Sequence, residues 1–264
     1  MQKANKVAII GYGVMGSVLL KAIRASGISK SILVCDSDEK KKHRVSSLKD
    51  VSFSTDINKC SDADVIFLAI KPQDFQKIVL SPKKHSLVCS IMAGVPMKMI
   101  KEKLGVKNIV RAMPNTPATH GVGMTAWVSS QGASEKEKGL LKKVFNEMGE
   151  EIEVSTENMI DKATAISGSG PAYIFHVAFA FIKAAQSLGV SKKDSQKLVI
   201  QTLKGAAMLV SENEDIEELI KRVASKGGTT EAALKIFEKE KEKSTWKKAV
   251  RAAYQRAKEI SKDS

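Results

Sequence analysis

Along the first half of the chain, short unbroken apolar runs alternate with longer mixed segments. KVAII (6–10), SILVC (31–35), DVIFLAI (64–70), SLVCSI (86–91) and NIVRAM (108–113) are β-branched runs without period-two polarity, the pattern of strands covered on both faces. The segments between them have helical length, so the pattern predicts a mostly parallel sheet with helices on both sides. A further strand pair, GMTAWVS (123–129) and EEIEVS (150–155), brackets a helix predicted over 134–149.

From residue 157 onward the period becomes helical, with helices predicted over 158–166, 171–188, 192–211, 215–223, 229–239 and 244–261. The pattern thus divides the chain into an α/β part, 1–156, and an all-α part, 157–264. The stretch AYIFHVAFAFI (172–182) is apolar around nearly its whole circumference, yet it reads as too short to cross a bilayer. A helix apolar on most sides must be surrounded, and about a hundred helical residues are too few to surround it within one subunit. A homodimer whose core is made by the helical part is therefore expected.

Composition changes this picture little. The 264 residues are 43% hydrophobic, enough for a sizeable core. A net charge of +14 raises nucleic acid as a partner, but glutamates interrupt the lysine runs, as in KEKEKSTWKK (239–248), and these read as solvated helix faces. No nucleic acid and no membrane partner is expected. Cys35, Cys60 and Cys89 are odd in number, lack C-x-x-C spacing and read as reduced thiols of a cytoplasmic protein. The stretch MQKANKVAII lacks an extended apolar h-region with a small-residue cleavage site, so no secretion is expected.

The first candidate chemistry lies in KVAIIGYGVMGSVLLKAI. Gly11, Gly13 and Gly16 have G-x-G-x-x-G spacing directly after a strand and at the start of a helix, where glycines permit a tight turn, close approach of a pyrophosphate, and close helix packing. Tyr12, Val14 and Met15 lie between them. Asp36 ends the second strand, where a carboxylate binds an adenosine ribose and favours NAD. Ser37, Lys40, Lys41, Lys42, His43 and Arg44 follow within reach of a 2′-phosphate, so NADPH and NADH both remain open. Ala69, Ile70, Lys71 and Pro72, then Met92, Ala93 and Gly94, end later strands on the side where a dinucleotide lies. The small Ala93–Gly94 pair would admit the nicotinamide ribose.

The runs SIMAGVPMKMI, IVRAMPNTPATHGVGMTAW, AISGSGPAY and SKGGTTEAAL, in this order over essentially the whole chain, closely resemble the pyrroline-5-carboxylate reductase family. The resemblance implies an N-terminal Rossmann domain, doubly wound and mostly parallel, and a C-terminal all-α domain that interlocks with its partner. It also implies reduction of 1-pyrroline-5-carboxylate to L-proline, the last step of proline biosynthesis, with NADPH or NADH. By the family's pattern Met92, Ala93, Gly94 and Asn115 line the nicotinamide site. Ser167, Gly168, Ser169 and Gly170, with Ser225, Gly227, Gly228, Thr229 and Thr230, form the substrate pocket. Thr230 takes the place of the hydroxyl near the ring nitrogen and is the candidate catalytic residue. The glycine pair ahead of a helix start would expose several unpaired N–H groups to the substrate carboxylate, with the threonines capping the helix.

Two departures stand out: Lys226 replaces the family's usual proline, and EKEKEKSTW replaces a more glycine-rich link. None of the four histidines has a partner at motif spacing, and no metal-site spacing is present. Another two-domain reductase, of the 3-hydroxyacid dehydrogenase type, would need its catalytic lysine in the first long helix; Lys162 comes too early. A non-catalytic dinucleotide sensor would not need the SGSG and GGTT segments. Assembly of dimers into something larger is left open.

Overall fold

A computed structural model describes residues 4–210 and 215–263. The ends of the two expected parts at residues 1 and 264, and the last residue of the helix expected over 192–211, lie outside the described residues. In chain order the first part consists of β1 (Val7–Ile10), α1 (Val14–Ser26), β2 (Ile32–Cys35), β3 (Val51–Ser54), β4 (Val65–Leu68), α2 (Pro72–Phe75), β5 (Leu87–Ser90), α3 (Met97–Leu104), β6 (Asn108–Pro114), β7 (Gly123–Ser129), α4 (Glu135–Asn146) and β8 (Gly149–Glu153). The strands form one eight-stranded sheet in the order β3-β2-β1-β4-β5-β6-β7-β8. Only β6 and β7 pair antiparallel. The chain order reverses between β1 and β4, which opens a crevice at their carboxyl ends.

Every residue of β1, β2, β4 and β5 is buried, as their unbroken apolar runs require. On one face Leu19 and Ile23 of α1 pack with Leu141, Val144 and Phe145 of α4 and with Trp127. On the other, Ile100 and Leu104 of α3 pack with Phe75, Leu80 and Cys60. All three cysteines are free and buried, and burial pushes the Cys89 thiol well above its ordinary value. A capping box at Ser134 and Glu137 opens α4.

Two expectations need correction. β3 was not foreseen, because VSFS is a four-residue edge strand with only Ser54 buried, too short for its alternation to stand out. The helical-length segments on either side of it hold no α-helix, only 3₁₀ turns at Glu39–Arg44 and Ile57–Cys60. The lysine-rich first turn has no apolar residue to bury, so nothing holds it as a longer helix against the sheet.

The remaining elements are α5 (Glu157–Ala163), a π turn (Thr164–Gly168), α6 (Gly170–Ser187), α7 (Lys192–Val210), α8 (Ile216–Val223), α9 (Thr229–Lys239) and α10 (Glu242–Asp263). Tertiary contacts divide the chain into two compact units, Met1–Ser169 with Ala253–Ser264, and Gly170–Ala252. Within the first, α5 sets Ile160 against Ala126 and Val128. Arg111, 3% exposed, bridges Glu157 and Asp161 at 3.2 and 3.0 Å. Within the second, Tyr173 meets Trp246 edge-on at 6.0 Å.

The apolar stretch also departs from expectation. The π turn joins α5 and α6 into a helix of 31 residues, Glu157–Ser187, long and apolar enough by length and composition to cross a bilayer. Within the single chain none of α6 is buried, and Phe175, Phe179 and Phe181 are 67%, 59% and 51% exposed.

Candidate active site

The glycine loop stands at the carboxyl end of β1, and its three glycines do different work. Gly11 has φ +96°, and a Cβ there would lie 2.5 Å from the Ala69 carbonyl oxygen. A Cβ on Gly16 would lie 2.1 Å from the Gly11 carbonyl oxygen. These two let β1, α1 and the end of β4 close together. A Cβ on Gly13 would meet nothing within 4 Å, so this glycine faces open space, where a phosphate needs room. Gly13 is also the N-cap of α1, with no side-chain cap and no acidic residue in the first turn. The N–H groups of Val14, Met15 and Gly16 are therefore left for an anion, and the helix dipole favours one there.

Asp36 is 9% exposed. Its carboxylate accepts the Tyr12 N–H at 2.7 Å, the Asp38 N–H at 3.0 Å and the Lys41 ammonium at 2.8 Å. Burial works to raise its pKa, but the bonds from Lys41, Asp38 and Tyr12 together outweigh it and hold Asp36 below the usual carboxylate range. Asp36 thus stays ionised, fixed to the loop by Tyr12 and partly neutralised by Lys41.

A cavity of about 660 Å³ joins these groups, lined by Gly11, Gly13, Asp36, Ser37, Lys41, Ala69, Ile70 and Lys71. Of the basic run only Lys41 reaches it. Tyr12, Val14, Met15, Gly16, Pro72, Met92, Ala93, Gly94 and Asn115 do not line it; Pro72 begins α2 behind Lys71. The sequence reading missed Thr55, Ile57 and Asn58, which also line the cavity. They follow β3, and recognising VSFS as a third parallel strand would have placed them at the same carboxyl edge.

Gly94 has φ +75°, but the space its side chain would fill is taken by Ile260 Cγ2, 2.3 Å from the ideal Cβ. The glycine serves the turn and the close approach of the last turns of α10. Asn115 sits at the end of β6, and its amide is engaged at both ends: Oδ1 accepts the Met124 N–H at 2.8 Å and Nδ2 donates to the Ser167 carbonyl at 3.0 Å. Its side chain is therefore committed within the protein.

In the SGSG segment, Ser169 N–H donates to the Thr164 carbonyl at 2.8 Å, the five-residue step of a π turn. The Ser167 hydroxyl donates back to the Ala163 carbonyl at 3.0 Å, so its proton is already used. A Cβ on Gly170 would meet nothing within 4 Å.

In the GGTT segment Gly227 has φ +74°. Its N–H donates to Glu231 Oε2 at 2.6 Å, and the Gly228 N–H donates to the Ser225 carbonyl at 3.0 Å. The loop closes on itself at both glycines, contrary to the expectation that they present free N–H groups. Gly228 itself is the N-cap, without a side-chain cap, so Thr229 and Thr230 do not cap the helix; they form its first turn. The N–H groups of Thr229, Thr230 and Glu231 head α9 and have no place in its internal ladder. Among the described residues no group holds an apparent metal site.

A glycine loop, an anchored acidic residue and a cavity at the reversal of a parallel sheet define a dinucleotide-binding oxidoreductase fold. The family model for pyrroline-5-carboxylate reductase dimerisation matches residues 157–260, and that for NADP oxidoreductase, coenzyme F420-dependent, matches residues 6–94. Pyrroline-5-carboxylate reductase of Synechocystis is 35% identical over 97% of this chain and 98% of its own length. The structure of a pyrroline-5-carboxylate reductase from Coxiella burnetii matches at 35% identity and a TM-score of 0.89, covering 98% of this chain and 99% of that one. Plasmodium falciparum pyrroline carboxylate reductase with NADP bound matches at 29% identity and a TM-score of 0.84, covering 99% and 100%.

The chain belongs to the pyrroline-5-carboxylate reductase family, and its activity is the NAD(P)-dependent reduction of pyrroline-5-carboxylate.

Proposed function

We propose that residues 1–156 carry the dinucleotide and that residues 157–264 carry dimerisation and the substrate, 1-pyrroline-5-carboxylate, in a cytoplasmic homodimer. The observation that carries the cofactor half is the open Gly13 cap of α1 sharing one cavity with the anchored Asp36. Gly13, Val14, Met15 and Gly16 on the first turn of α1 would hold the pyrophosphate. Asp36 and Ser37 would hold the adenosine ribose. Ala69, Ile70, Lys71 and Pro72 follow the cofactor along the carboxyl edge, and the Met92–Gly94 turn borders the nicotinamide. When bound, the nicotinamide supplies a hydride to the imine carbon.

Two motifs handle the substrate in this reading. Ser167, Gly168, Ser169 and Gly170 are one of them. Ser225, Gly227, Gly228, Thr229 and Thr230 present the open first turn of α9 to the carboxylate. The Thr230 hydroxyl meets the ring nitrogen, whose protonated form is the better hydride acceptor. Glu231 and Lys235, 3.1 Å apart, hold the GGTT loop in shape from behind.

The exposed phenylalanines of α6 support the dimer, because a monomer rarely leaves such a stripe in water. This long helix is read as dimer core, with no membrane partner. Sedimentation should give twice the mass of the chain, and Phe179→Asp should reduce it to monomer or aggregate. Lys138 with Glu135 and Glu153, and Lys221 with Glu218, pair locally, which supports a solvated surface without nucleic acid.

The test is oxidation of NADPH and of NADH with and without 1-pyrroline-5-carboxylate. Proline should form with both cofactors, and Asp36→Ser should move the kcat/KM ratio toward NADPH by about tenfold, the worth of one charge-assisted hydrogen bond and a removed repulsion. An unmoved ratio would take Asp36 out of the ribose site.

A further inference from the structure

We infer that Asn115 is a positioning residue for the substrate, acting through the carbonyl of Ser167, and that its side chain makes no contact with the cofactor. This rests on the reading above in which SGSG holds the substrate.

The argument begins in the sequence of the motif. In an uninterrupted α-helix the Ser167 carbonyl would accept the N–H of residue 171, but residue 171 is proline and has none. Proline therefore removes the α-ladder donor from the carbonyl at the point where the motif must hold its shape. A partly buried carbonyl without a donor carries a cost, and the structure supplies one from 52 residues away: Asn115 Nδ2 lies 3.0 Å from it. The other end of the same amide is held at 2.8 Å by the Met124 N–H at the start of β7. This bond also fixes the orientation of the amide, since only the oxygen can face an N–H and the nitrogen must then face Ser167.

A second contact follows the same line. A Cβ on Gly168 would come within 3.1 Å of Met113 Cε, so the π turn lies close over the end of β6. Ser169 closes that turn through Thr164. The end of β6, which leads into the cofactor-side loop, and the substrate motif are thus tied by one amide and one close glycine contact. Shifting the Ser167 carbonyl would tilt Gly168, Ser169 and Gly170 together, and catalysis depends on ångström-scale placement of the substrate.

Asn115→Asp tests this. It keeps the acceptor for Met124 but sets a carboxylate oxygen against the Ser167 carbonyl. We expect the KM for 1-pyrroline-5-carboxylate to rise about tenfold or more, with NADPH affinity by fluorescence quenching within twofold of the native value. Asn115→Ala should behave alike, with kcat at saturating imine falling less than kcat/KM. NADPH binding weakened as much as the imine KM would overturn the inference, because the side chain would then touch the cofactor; so would unchanged imine kinetics. Gly170→Val separates the two levels, since its side chain would enter open space. If it raises the imine KM while Asn115→Asp does not, the clamp alone is wrong. If it leaves the imine KM unchanged, the substrate reading of SGSG fails and the inference falls with it.

Discussion

Thr230→Ala should lower kcat about a hundredfold while the dissociation constants of NADPH and NADH stay within twofold. Positioned proton donors contribute about 10²–10⁴ in rate, and the low end suits a substrate whose nitrogen is already basic. Thr230 lies in the first turn of α9, and none of the described residues makes a hydrogen bond to its hydroxyl, so the group is free to serve a ligand. Thr230→Ser keeps the hydroxyl and should retain most of the activity, whereas Thr229→Ala should cost less than Thr230→Ala. The decisive measurement is single-turnover oxidation of NADPH at saturating imine. A native rate in Thr230→Ala would remove the residue from the proton path and leave GGTT as a carboxylate site only.

The second large effect belongs to the phosphate loop, where Gly13→Ala and Gly16→Ala should separate binding from folding. The Gly16 Cβ would enter the Gly11 carbonyl, so the loop must move off α1, at a stability cost of about 1–3 kcal/mol. That should appear as about 2–4 °C in Tm for each kcal/mol. The Gly13 Cβ meets no protein atom and should leave Tm unchanged. Both variants should weaken NADPH and NADH about a hundredfold, by turning the N–H groups away in one case and by obstructing the pyrophosphate in the other. Native affinity in Gly13→Ala would mean that the phosphates lie elsewhere.

What the sequence disclosed depended on how local the cause was. The buried strands and the long helices were legible because each carries its own apolar period; α6 and α9 begin at or within a residue of the expected position. The glycine loop was legible because strand, glycines and helix are contiguous. β3 was not, since an edge strand of four residues borrows its order from β2. The closure of GGTT on Glu231 is marked in the sequence only by a carboxylate four residues beyond Gly227. The Asn115 bridge left one trace only, the missing N–H of Pro171. The seat of Ile260 on Gly94 left none, because the two meet only when the last helix returns to the sheet.

The placement of the three thiols has its own consequence. Cys35, Cys60 and Cys89 all lie in the first unit, in or beside the sheet, and none occurs between residues 170 and 252. An alkylating reagent can reach Cys89 only when the sheet opens, so the pace of its labelling becomes a clock for that opening. The helical unit carries no such clock. A covalent stain will therefore report the sheet's breathing and stay silent while the subunits part and rejoin, so the two events can be timed separately in one sample.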